Sequence, residues 1–266
     1  MAKTDVAKKE AEKLPANYMD EKGSFGSEHV SSQDIALPFL RILQSGSPEK
    51  KKANAKYIEG ADEGMILDTV NKSVLDGDKG ITVIKAQFMS NYVEWIPRDQ
   101  TGGGGGFVAN HSREEGDALL AKHGLVGMIK PMLPNGNLLT LTYMFFVIVI
   151  DEKDGSFYPA IIPMSSTNLK AGRNWNSAFT TQRAKHQLKS DAGLVSKLRV
   201  GGATNKHGEW FVWSPSIVGT LKDMFPERAE EYYNAAYELW SSVEKGLVKT
   251  SHMEEVDETE SDEKPY

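Results

Sequence analysis

The chain has 266 residues, 31 Lys and Arg against 37 Asp and Glu, 39% hydrophobic and 9% aromatic content, and no cysteine. That length holds one large domain or two small ones around a proper core. The hydrophobic fraction is too low for a membrane protein, and the most apolar run, residues 143–150, is strand-length rather than membrane-spanning. Without cysteine, disulfides and thiolate metal sites are excluded, and a reducing cytoplasm is the expected compartment.

Residues 1–33 read as a flexible arm, with alternating Lys and Glu, no apolar signal-peptide core, and linker-like Ser24-Phe25-Gly26-Ser27 and Ser31-Ser32. A folded body is expected over residues 34–248. It opens on the apolar segment Leu37-Pro38-Phe39-Leu40-Arg41-Ile42-Leu43, where Pro38 argues for an edge strand. Lys50, Lys51 and Lys52 follow in a polar loop. Met65-Ile66-Leu67 predicts a short strand, residues 71–78 a turn-rich stretch, and residues 81–96 a long strand ended by Pro97.

Five glycines, Gly102 to Gly106, lack the Lys-Ser/Thr of a phosphate-cradling loop and suggest a hairpin tip. Ser112-Arg113-Glu114-Glu115 has the form of a capping box, predicting a helix to about His123 with Gly124 as its stop. Pro134-Asn135-Gly136-Asn137 is a turn. Residues 138–150, apolar on both faces, predict a central strand, which Asp154-Gly155 returns into residues 157–164. Thr167 is placed to cap a helix over residues 168–188. Residues 194–203 and 209–213 predict a second hairpin, and residues 226–243 an amphipathic helix. The pattern is mainly β with peripheral helices (α+β). It predicts an OB-like, partly open barrel rather than a doubly wound sheet.

Residues 169–213 stand out. They carry eight Lys and Arg against Asp191 and Glu209, and hold three of the five tryptophans. Cations bind polyanion backbones through counterion release, and unpaired bases stack on aromatic faces. The expected phosphate contacts are Lys170, Arg173, Arg183, Lys185, Lys189, Lys197 and Arg199. The expected base platforms are drawn from Tyr92, Trp95, Trp175, Phe179, Trp210 and Trp213, converging with the cations on one groove. The competing account is structural: strand tryptophans often fill cores, and helical Lys and Arg often form a solvated face. Both accounts remain open on the sequence.

No catalytic signature emerges. The six histidines have no His-x-x-x-His or His-Glu-x-x-His spacing, and there is no Gly-x-Ser-x-Gly elbow. Glu114-Glu115 and the Asp76/Asp78 pair sit in helix-start and turn contexts, where capping explains them. The expectation is a non-enzymatic protein with no cofactor and no metal. A strand-annealing protein, a metal-dependent nuclease and a structural protein are the alternatives.

Residues 249–266 read as an acidic tail, and in its last thirteen residues Glu254, Glu255, Asp257, Glu258, Glu260, Asp262 and Glu263 stand against Lys264. That excess accounts for the whole formal charge of −6, leaving a neutral body. The tail closes on Tyr266. In this combination the chain resembles the single-stranded DNA-binding proteins of tailed bacteriophages, which join an OB-fold core to an acidic C-terminus ending in an aromatic residue. The match rests on Asp262, Glu263 and Tyr266; Lys264 and Pro265 intervene where such tails often place Phe directly after an acid. The resemblance implies coating of single strands during replication in the host cytoplasm, with no membrane partner. It also implies that the tail docks DNA polymerase, helicase or primase and competes with DNA for the groove. Homodimers occur among such proteins.

Overall fold

The computed structural model describes residues 36–97, 106–206 and 208–248. The N-terminal arm, the acidic tail, His207 and the tip containing Gly102 to Gly105 lie outside the described residues. In chain order the strands begin with β1 (Leu40–Ile42), β2 (Ile66–Asp68), β3 (Ser73–Leu75), β4 (Ile81–Ile96) and β5 (Gly106–His111). Helix α1 (Arg113–Lys122), β6 (Leu138–Ile150), β7 (Phe157–Ser165) and α2 (Leu169–Lys185) follow. The order closes with β8 (Leu194–Asn205), β9 (Gly208–Thr220), α3 (Leu221–Met224) and α4 (Ala229–Glu244).

β4 organises the large sheet because its sixteen residues exceed the length of every partner, thirteen-residue β6 included. β6 runs beside it from Thr82↔Ile150 to Trp95↔Leu138. On its other edge β8 pairs with the first residues of β4, and β5 with the last. The sheet order is β7-β6-β4-β8-β9, all antiparallel, with β5 beside β4. A separate three-stranded sheet, β1-β2-β3, leans on β7 through a bridge from Phe39 to Ile161. The chain is mainly β with peripheral helices, as expected, but both sheets are open and neither closes into a barrel.

Alternation along β4 and β6 builds a core on each face of the large sheet. Val83, Phe145, Val147 and Val149 pack with Trp175 and Phe179 of α2 and with the small sheet. Ile84, Phe146, Ile148 and Ile150 pack on the other face with Tyr232, Ala236 and Leu239 of α4. The two long helices therefore cover opposite faces of one sheet.

Several local expectations hold closely. The bounds of β4 and β6 match the predicted strands. Ser112 Oγ accepts from Glu115 N while the Glu115 side chain accepts from Ser112 N, closing the capping box of α1. Others need correction. The turn-rich stretch contains β3, and residues 106–111 form β5. Thr167 lies in a 3-10 turn and Asn168 takes the N-cap position, without a side-chain capping bond.

Candidate nucleic-acid interface

The site begins with α2, whose Gly172, Trp175 and Phe179 face inward at helical spacing. The remaining faces carry Lys170, Arg173, Arg183 and Lys185 and no carboxylate over seventeen residues. Lys170, Arg173, Asn174, Ser177, Thr181 and Lys185 are all exposed. The hydroxyls of Ser177 and Thr181 donate back to the carbonyls of Arg173 and Ser177, 3.1 Å each, so this face is satisfied internally and cationic outward.

Beside α2 runs β9, an edge strand, and its open backbone is covered by side-chain amides. Gln44 Nε2 donates to Phe211 O and Gln44 Oε1 accepts from Phe211 N, both at 2.9 Å. Asn168 Oδ1 accepts from Trp213 N at 2.8 Å, which is why it does not cap α2. Such covering blocks strand addition at an exposed edge.

Two grooves lie along this strand. One, of about 290 Å³, is bounded by Thr167, Lys170, Ala171 and Asn174 on one side and Val212 to Pro215 on the other. The second, of about 570 Å³, is lined by Ser45, Glu63, Gly202 to Thr204 and Glu209 to Phe211. Trp210 in that groove leaves its indole N–H without an acceptor among the described residues.

The predicted site residues do not all converge. Trp175, Phe179, Trp213 and Tyr92 are 1%, 1%, 3% and 6% exposed, so they are core rings rather than stacking platforms. Trp175 donates its indole N–H to Ser196 Oγ at 3.1 Å, and the Tyr92 hydroxyl donates to Asp117 at 2.9 Å. Trp95 is half-buried, edge-on to Phe107 and packed against the core on the α4 side of the sheet. Trp213 borders the smaller groove with a buried ring, whereas half-buried Trp210 lines the larger one.

The cations also divide. Leu198 and Val200 face the α2 side, so Lys197 and Arg199, which alternate with them, project from the opposite face. Lys197 is engaged by Glu152 at 3.0 Å and by Thr82, and Arg183 by Asp191 at 3.4 Å. What stays together is Lys170, Arg173 and Lys185 on α2, with Lys189 exposed just beyond it. The sequence reading missed Thr167, Asn174 and Gln44. Gln44 reaches its partner across 167 residues, a contact with no local signature.

Asp191 also anchors Lys85, whose Nζ lies 2.8 Å from Asp191 Oδ2, 2.9 Å from Asn176 Oδ1 and 3.9 Å from the Phe179 ring centroid. Burial pushes this ammonium below the ordinary lysine value, against the pull of Asp191. The pair ties α2 and the turn before β8 to β4.

Among the described residues, no cluster of His, Asp or Glu forms a metal-binding group, and no helix is long and apolar enough to cross a membrane. No curated protein and no solved structure matches the chain. A family model described as Pam3 phage gp34-like protein matches residues 7–249, so the chain is a phage protein and belongs to the Pam3 phage gp34-like family.

Proposed function

We propose that this phage protein binds single-stranded DNA with little regard to sequence, and without catalysing a reaction on it, during replication or recombination. The observation that carries this reading is the outer face of α2, where exposed cations are accompanied by no carboxylate. A phosphate backbone gains from such a face through counterion release. The grooves along β9 give unstacked bases a place beside those cations, and half-buried Trp210 lines the larger one with its ring. The acidic tail, with seven carboxylates in its last thirteen residues, competes for α2 and recruits replication proteins such as polymerase, helicase or primase.

The test is a titration with oligo-dT, read by tryptophan fluorescence across salt concentrations. Binding that weakens steeply with salt is expected. Lys170→Glu with Arg173→Glu should weaken it by more than tenfold at low salt. Trp210→Ala should cost about tenfold, the loss of one stacked base, while leaving the thermal midpoint unchanged. Trp175→Ala should instead destabilise the fold by about 3–5 kcal/mol. Deleting residues 249–266 should tighten binding. Full-strength binding by the Lys170→Glu, Arg173→Glu variant would remove α2 from the interface, and no binding at low salt would end the proposal.

A further inference from the structure

Helix α4 presents a second apolar stripe besides the one it buries. Tyr232, Ala236 and Leu239 face the sheet, whereas Tyr233, Tyr237 and Trp240 are 40%, 56% and 38% exposed. Their i, i+4, i+7 spacing puts these three rings on one flank of the helix. The Tyr237 and Trp240 centroids are 5.3 Å apart, forming a continuous aromatic ledge. Exposed Glu230 and Glu244 flank it, exposed Glu238 lies further round the helix, Glu231 is paired with Arg228, and the sixteen residues of α4 contain no Lys or Arg. The flanking carboxylates repel a polyanion, so this ledge is no second DNA platform. Aromatic faces flanked by carboxylates suit Arg and Lys side chains.

The complementary surface exists on the same chain. α2 is acid-free and carries Lys170, Arg173 and Lys185 outward, and it covers the opposite face of the large sheet. We propose that the α4 ledge of one copy docks on the α2 face of a second copy, joining molecules head to tail. Because the two patches differ, each contact leaves a free α4 at one end and a free α2 at the other, so the assembly is an open chain rather than a closed dimer. Helix-on-helix contact is small beside a stable interface of about 1,200–2,000 Å², so association is weak and salt-sensitive. The inference rests on charge and ring placement and stands independently of DNA binding, although DNA on α2 would displace the neighbour.

Sedimentation of the full chain over a range of concentrations tests it, at about 50 mM and about 500 mM salt. The weight-average mass should rise with concentration at low salt and return toward the 29.4 kDa monomer at high salt. Two variants, each with an unchanged far-UV spectrum, isolate the patches. Tyr237→Ala with Trp240→Ala removes the ledge, and Lys170→Glu with Arg173→Glu removes its receptor. Each alone should stay monomeric, and their mixture should form dimers that grow no further, since one intact patch of each kind remains. A monomer at every low-salt concentration overturns the proposal. So does continued self-association of the Lys170→Glu, Arg173→Glu variant, which would indicate a symmetric contact between two α4 ledges.

Discussion

Glu94 shows how much a single buried carboxylate on β4 can organise. Its Oε1 accepts from Asn135 Nδ2 at 2.9 Å and Asn137 Nδ2 at 2.6 Å, and His111 Nε2 lies 2.9 Å from its Oε2. Burial favours the neutral acid, but hydrogen bonds from Asn137, Asn135 and His111 outweigh it and hold the carboxyl below its ordinary value of 4.5. The unfolded chain therefore binds this proton more readily. The stabilisation is complete above about pH 4.5 and is lost as pH falls through the lower folded value. Glu94→Gln should cost about 2 kcal/mol at neutral pH, as expected for hydrogen bonds to a charged group. It should cost less at a pH acidic enough to protonate the native carboxyl, below its lowered folded value. Urea midpoints at the two pH values measure this, and an equal loss at both would refute it. On the sequence, Asn135 and Asn137 were legible only as turn residues. Their second role depends on a strand some forty residues away, which no local pattern encodes.

At the scale of elements, the α1 contact turns on one glycine. A Cβ at Gly116 would come 2.1 Å from Tyr92 Cδ2, far inside contact distance. The ring has no easy retreat, since its hydroxyl holds Asp117 at 2.9 Å and Arg113 lies 5.4 Å over its face. Helix propensity favours alanine here by about 1 kcal/mol. Overpacking costs about 1–3 kcal/mol, and with the ring tied at both ends the upper part of that range applies. Gly116→Ala should therefore lower stability by about 1–2 kcal/mol in urea denaturation, and a gain in stability would show that α1 shifts freely. The capping box of α1 and both long strands were readable, because caps and alternation are short-range signals. β3 and β5 escaped because three- and six-residue strands beside glycines lack a full alternation. The amide covering of β9 escaped for a different reason: Gln44 and Asn168 look like ordinary loop residues until the edge strand arrives beside them.

For the whole molecule, the decisive feature is that β4 and β6 supply side chains to both cores at once. Residues one apart on β6, such as Phe145 and Phe146, serve opposite faces, so neither core can melt without exposing the strands that line the other. The sequence announced the two-sided burial of residues 138–150 but not that two different helices would cover the two faces, because inward stripes on α2 and α4 carry no address. Nor did the basic-aromatic composition of residues 169–213 reveal that Trp175, Phe179 and Trp213 would turn inward while Lys170, Arg173 and Lys185 turned outward. The sharing of strands predicts one cooperative transition for the folded body. Phe179→Ala empties the α2 side and Leu239→Ala the α4 side, each at a cost of about 3 kcal/mol. In either variant, tryptophan fluorescence and far-UV circular dichroism should trace the same urea curve, shifted as a unit to lower midpoint. If Leu239→Ala instead separated the two signals, α4 would be an independently melting layer. The sheet would then be held by its α2 face alone.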